Sequence, residues 1–358
     1  MTTLEVVFSA GSLYEQEGRY GTMHLMEHLI CGTFSDLRPE LTKRGIAWNA
    51  VTGDEHVKFY WTGLESQLSD IKSTLVHRVT GNITKYVTKE EFEKERSTVY
   101  QEYCDTFNDP QCAAILNHIR KKFNYSCPIG RREDILNFTY EDMVEVKKEF
   151  FTKPAHIIEV GPVKTDIRDV EYEEKRHTFK KLAYSNSSGA CEEKTGPSEK
   201  YVIGMLSKML VSKEDYPAMK VAVMMLNNNL ESPLYKEIRE KRGLSYYSIA
   251  DLMTMIDDSI CMFYAATTDS HIDELVSVYT DFFRNTQNYI SRDRYEDIIS
   301  NIKINEEKRE VLRYANIQDL ERKGLVRMPK DIDKVTYENV LEVVEKYLNL
   351  NNLESFVI

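Results

Sequence analysis

The chain is predicted to be an α+β protein made of a duplicated domain, each copy a mainly antiparallel sheet with helices packed on one face. Three observations predict this. Strand-like and helical segments follow one another without the strict alternation of a parallel sheet. Short sequences recur in the same order at a spacing near 200 residues. A stretch poor in apolar residues separates the two occurrences.

In the first half, LEVVFSA at 4–10 is a β-type run. A helix is expected over about 20–31. HVKFYWTG at 56–63 alternates and is rich in aromatic and β-branched residues, which predicts a strand. ESQLSDIKSTLVHRVTGNI at 65–83 has helical spacing. TKEEFEKERSTVYQEYCDTF at 88–107 opens with Thr88 and Glu91 spaced as a capping box, then continues as a helix. Thr139 precedes a further helix, and HIIEV at 156–160 closes the half as a strand. KRGI at 43–46 is answered by KRGL at 241–244, TKEEFEKE at 88–95 by SRDRYEDI at 291–298, and TYEDMVEV at 139–146 by TYENVLEV at 336–343. The offsets are 198, 203 and 197 residues, so the repeat is domain-sized. AYSNSSGACEEKTGPSEK at 183–200 reads as connecting chain. The expected division is a first domain over 1–165, a linker over 166–198 and a second domain over 199–358.

With 358 residues, 42% hydrophobic and 29% charged, the composition is that of a soluble globular protein of about two domains. The net charge of −11 argues against a nucleic-acid partner, which selects a basic face. No apolar run approaches the roughly 18 residues of a spanning helix, so no membrane association is expected. MTTLEVVFSAGS lacks the basic and apolar regions of a secretory signal. Cys31, Cys104, Cys112, Cys127, Cys191 and Cys261 are scattered, without a CxxC pair. They read as free thiols of a reducing compartment, and a cytoplasmic location is expected.

GTMHLMEHLICGT at 21–33 places His24, Glu27 and His28 in one turn of an otherwise apolar helix. Burying such groups without partners costs several kcal/mol, so their presence needs a reason. His24 and His28 are i and i+4 and project from one face, where two imidazoles can reach one ion. Glu27 lies close enough to touch a water on that ion. The pattern is H-x-x-E-H, the inverse of H-E-x-x-H. The ordinary alternative is a pair of satisfied core histidines. A third ligand would come from a carboxylate elsewhere. Glu95 and Glu102, seven apart on the helix after Thr88, share a face, although glutamates on a helix ordinarily face solvent.

HLMEHLICGT, GIAWNAVTGDEHVKFYW and ERSTVYQE followed by DP resemble the inverted-motif zinc peptidases of the pitrilysin, insulin-degrading enzyme and mitochondrial processing peptidase family. The resemblance covers nearly the whole chain and implies a compact two-domain member, with zinc in the first copy only. It implies a zinc endopeptidase that cleaves peptides or unfolded polypeptide segments in an enclosed cleft. The implied cofactor is one zinc ion per chain, held by His24, His28 and Glu102, with Glu95 as the supporting acidic residue. It implies Glu27 as the base that activates water. Asn49, Ala50 and Thr52 fall in a sheet-edge segment on which the family lays its substrate as an added strand. Arg239 and Tyr246, in IREKRGLSYYS, match residues that reach the substrate near the zinc. Without the resemblance, Arg239 reads as a solvent-facing side chain and Tyr246 as a core residue. At the 198-residue offset the metal positions fall on Ala222, Met225 and Leu226, so the second copy cannot repeat the site. Relatives enclose substrate with four such domains, so a chain with two is compatible with a homodimer or a heterodimer. The family also contains catalytically silent members that serve as structural or partner subunits, which usually lose part of the motif. Here every position is filled.

Overall fold

The computed structural model describes residues 1–160, 165–169, 182–185, 199–254, 258–312 and 334–358. They form two compact units, Met1–Phe107 with Tyr125–Leu182, and Asn108–Asn124 with Ala183–Ile358.

Unit 1 is built on an antiparallel sheet of β1 (Thr2–Phe8), β2 (Ala47–Thr52), β3 (Val57–Gly63), β4 (His156–Val160) and β5 (Thr165–Asp169), in the order β2-β3-β1-β4-β5. Its helices are α1 (Thr22–Gly32), α2 (Arg38–Lys43), α3 (Glu65–Leu68), α4 (Lys72–Thr80) and α5 (Lys89–Asn108), the last running up to the unit boundary. The chain leaves for unit 2 as α6 (Pro110–Phe123), then returns as α7 (Arg132–Asn137) and α8 (Tyr140–Phe150). The β-branched and aromatic residues of β1 suit a pleated, buried surface, and Leu4, Val6 and Phe8 are almost fully buried. α1 packs against β2 and β3 with Leu25, Met26, Leu29 and Ile30 fully buried. This burial fixes which face of α1 is left for His24, Glu27 and His28.

Unit 2 contains β6 (Lys200–Ser207), β7 (Val211–Ser212), α9 (Tyr216–Leu226), α10 (Pro233–Tyr235), a π-helical turn (Lys236–Glu240), β8 (Ile249–Thr254) and β9 (Asp258–Thr268). It continues with α11 (Ile272–Arg284), α12 (Arg292–Leu312), α13 (Tyr337–Tyr347) and β10 (Leu353–Val357). Its sheet runs β10-β6-β9-β7, with β8 also paired to β9. The run β2-β3-β1-β4 of unit 1 thus has its counterpart in β8-β9-β6-β10, every pair antiparallel.

Each sequence match between the halves is the same local device. Gly45 and Gly243 both take left-handed backbone, with φ of 67° and 64°. The amide after each reaches back to an earlier carbonyl, Ile46 to Leu41 and Leu244 to Ile238, both at 2.9 Å, closing the helix end. Thr88 and Glu91 exchange the two bonds of a capping box, at 2.7 and 3.2 Å. At the matching place Ser291 accepts from the Arg294 amide. Thr139 and Thr336 each form a capping box, at the heads of α8 and α13. Thr139→Ala and Thr336→Ala are therefore each expected to cost about 1 kcal/mol, by similar amounts in the two halves. Denaturant unfolding of the two variants checks this, and an effect confined to one half would contradict the equivalence.

Two features depart from the expected domain limits. β5 occupies residues expected to begin the linker; TDIRD carries a single apolar residue and so little strand signal. α6, from the first sequence half, packs in unit 2. Asp109 caps it by accepting from Gln111 and Cys112 amides at 2.9 and 3.0 Å, and Pro110 opens it. Its Lys122 pairs with Glu354 of β10 at 2.5 Å, and its His118 ring lies 4.5 Å from that of Phe356. Amphipathic spacing places an apolar face on a helix but does not say which sheet covers it.

Cys31, Cys104 and Cys261 carry free thiols, while Cys191 and most of the expected linker lie outside the described residues. Among the described residues, no helix is long and apolar enough to cross a membrane.

Candidate functional site

α1 presents His24, Glu27 and His28 as one polar stripe on a helix whose other residues through Ile30 are buried. Opposite them stands α5, which anchors itself through Phe92, Val99, Tyr103 and Phe107 and carries Glu95 and Glu102. Nε2 of His24 is 3.5 Å from one Glu102 carboxylate oxygen, and Nε2 of His28 is 3.6 Å from the other. One ligand atom from each of the three residues can be chosen so that all lie within 4.8 Å of one another. The two contacts are long for hydrogen bonds. They match the spacing of two donors around one ion, since ligands about 2.1 Å from a tetrahedral zinc stand about 3.4 Å apart. The donor set, two imidazoles and a carboxylate, is also one that zinc accepts. The residues present therefore fit the metal.

Glu95 sits behind the set, its carboxylate 3.7 Å from Nδ1 of His28. This is where a carboxylate orients a ligand imidazole and raises its basicity. Burial and the neighbouring His28 hold His24 down at about 4, so it is neutral at ordinary pH. Burial also pushes His28 down, but Glu95, Glu102 and Glu27 outweigh it and hold its pKa above the usual histidine value. The two rings stand edge to face, their centroids 4.8 Å apart.

Glu27 accepts a hydrogen bond from the Thr52 hydroxyl at 2.8 Å. Burial raises its pKa, against the opposing pull of Thr52 and His28. A raised carboxylate is nearer the working range of a general base. Thr52 ends β2, which is one of the two edge strands of the sheet among the described residues. Asn49 is exposed on it, the Ala50 side chain is buried, and Thr52 lies between. The link from Thr52 to Glu27 joins the sheet edge to the stripe on α1, and the spacing of the two residues in sequence does not announce it.

Arg239 and Tyr246 both lie in unit 2, Arg239 within the π-helical turn. The guanidinium stacks over the Tyr246 ring at 4.3 Å and donates to the Tyr235 hydroxyl. Tyr246 is 76% exposed, so it is not a core residue. Its phenol is presented to solvent with a cation against the ring face.

Two family models match the chain: insulinase (peptidase family M16) over residues 1–129, and the peptidase M16 inactive domain over 137–302. An uncharacterized zinc protease of Rickettsia bellii is 19% identical over 328 residues, covering 85% of this chain and 78% of that protein. Zinc protease PqqE of Helicobacter pylori is 22% identical over 286 residues, covering 73% of this chain and 64% of that protein. Among solved structures, a protease from Helicobacter pylori superposes with a TM-score of 0.76 at 16% identity, over 99% of this chain and 94% of its own. A chain of Complex III2 from Candida albicans gives 0.76 at 14% identity, over 99% and 90%. At these identities the superpositions establish the fold.

Proposed function

We propose that this chain, which belongs to the pitrilysin-like M16 peptidase family, is a zinc-dependent endopeptidase that cleaves peptides or unfolded polypeptide segments. The single observation that supports this most is the clustering of His24, His28 and Glu102, whose imidazole nitrogens stand 3.5 and 3.6 Å from the two Glu102 carboxylate oxygens and which offer one ligand atom each within 4.8 Å of one another. These three side chains would hold one zinc ion per chain. Bound there, zinc supplies a Lewis acid that polarises a carbonyl and lowers the pKa of water toward about 7.

This chain's own residues do the rest. Glu27 takes the proton of the attacking water at a carboxylate oxygen. The water oxygen bonds to the carbonyl carbon, and Glu27 delivers the proton to the amine nitrogen as the C–N bond breaks. Thr52 keeps the carboxylate turned, and Glu95 steadies the His28 ring. The substrate adds to the edge strand along Asn49, Ala50 and Thr52, so backbone hydrogen bonds provide affinity with little demand on sequence. Arg239 and Tyr246 donate to the carbonyl oxygen as it gains charge.

Removing one such donor typically costs about 10²–10³ in kcat. Tyr246→Phe is expected to slow turnover by about that factor, with zinc content and circular dichroism unchanged. Arg239→Ala is expected to do the same or to raise KM. Turnover of Tyr246→Phe within twofold of the unaltered chain would remove the phenol from the chemistry.

A second reading, a catalytically silent partner subunit, is favoured by the likeness to a chain of Complex III2. The filled set of His24, Glu27, His28, Glu95 and Glu102 speaks against it. Hydrolysis of a quenched peptide by purified chain of known zinc content separates the two readings.

A further inference from the structure

α1 begins without an ordinary cap. Its N-cap residue is Gly21, held in left-handed backbone with φ of 93° and backed so closely by Gly130 that a Cβ would come within 2.9 Å of the Gly130 Cα. Glycine has no side chain with which to satisfy the free amides of a first turn. Glu15 does this instead. One of its carboxylate oxygens accepts from the Gly21 amide at 2.9 Å and the other from the Met23 amide at 2.7 Å. The residue is 5% exposed, and the carboxylate sits at the positive end of the helix dipole.

The segment bearing Glu15 is itself tied down. Ser12 and Leu13 amides donate to Gly53 and Asp54 carbonyls at 3.2 and 2.9 Å. The Ser12 hydroxyl and the Tyr125 hydroxyl both donate to the Asp54 carboxylate, at 2.8 and 2.6 Å. Gly11 lies so close to this turn that a Cβ there would fall 2.5 Å from the Asp54 carbonyl oxygen. Two residues before Asp54, Thr52 donates to Glu27. A closed circuit results, from the head of α1 through Glu15 and Ser12 to Asp54, back through Gly53 to Thr52 at the end of β2, and to α1 again at Glu27.

His24 is the third residue of α1, immediately after Met23. Helix ends fray, and Glu27 and His28 lie a full turn further in. His24 is therefore the metal-facing side chain whose direction depends most on the cap. Resting on the metal reading above, we infer that Glu15 is a positioning residue for the metal, acting through the first turn of α1 on His24.

The inference is tested on the full chain with Glu15→Gln. Glutamine replaces one acceptor oxygen by an NH2 group that faces an amide N–H, so one of the two bonds is lost. Partners that orient ligands typically contribute about 10–100-fold to metal affinity. The zinc Kd, measured by chelator competition, is expected to weaken by about that factor, and the visible spectrum of the cobalt(II)-loaded variant is expected to change. Thr336→Ala, which breaks the capping box of α13 in unit 2, serves as a control for lost stability alone, with native zinc Kd and native cobalt spectrum expected. Native Kd and spectrum in Glu15→Gln would overturn the inference, as would an equal weakening in Thr336→Ala. Should Glu15→Gln fail to fold, Glu15→Asp, which keeps a carboxyl group on a shorter arm, is expected to weaken zinc by a smaller factor; a native Kd there would overturn it equally. Failure of the unaltered chain to bind zinc would overturn the metal reading itself, and the inference with it.

Discussion

Glu27→Gln is expected to keep its zinc and to lose peptide cleavage by about 10²–10⁴-fold or more, the range that general base catalysis supplies. Glutamine has the shape of glutamate and can still accept from the Thr52 hydroxyl, so the 2.8 Å contact to the sheet edge is preserved. Its amide cannot take a proton from water at working pH. Glu27 is not one of the three residues whose donor atoms cluster, so its loss leaves the ligands in place. The check is zinc content by metal analysis beside hydrolysis of a quenched peptide. Near-normal turnover with full zinc would show that another group is the base.

The double variant His24→Ala, His28→Ala is expected to fall from one zinc per chain to none and to lose turnover to background. A structural or catalytic zinc needs at least three protein ligands, and one exposed carboxylate cannot hold the ion alone. Alanine is the best helix former, and the buried apolar face of α1, Leu25, Met26, Leu29 and Ile30, is untouched. Helix content by circular dichroism is therefore expected to stay native, which separates a lost site from a lost fold. Full zinc occupancy after dialysis would place the metal elsewhere.

How much of this was legible in the sequence depends on how local each interaction is. The stripe of His24, Glu27 and His28 needs only helical spacing, and the structure places all three on one face. The capping boxes at Thr88 and Thr139 were equally local, because both partners lie three residues apart. Glu102 is different. Residues alone left it equal to any glutamate on a solvated helix, and the family resemblance singled it out, since its neighbours His24 and His28 are more than seventy residues away. Glu15 was not legible at all. Its partners are backbone amides six and eight residues on, a spacing that matches no capping pattern, and the amides of Gly21 and Met23 carry no residue-type signal. The assignment of α6 to unit 2 was hidden for a related reason, as Lys122 and Glu354 stand 232 positions apart.

Peptide cleavage is expected to depend on a zinc ion held by this chain. The most direct measurement is peptide hydrolysis by one preparation as purified, after removal of metal by a chelator, and after return of one equivalent of zinc. One zinc per chain is expected as purified, with loss of hydrolysis on chelation and its recovery at one equivalent. Hydrolysis that persists in the metal-free chain, or a chain that binds zinc at full occupancy and cleaves no peptide, would contradict it.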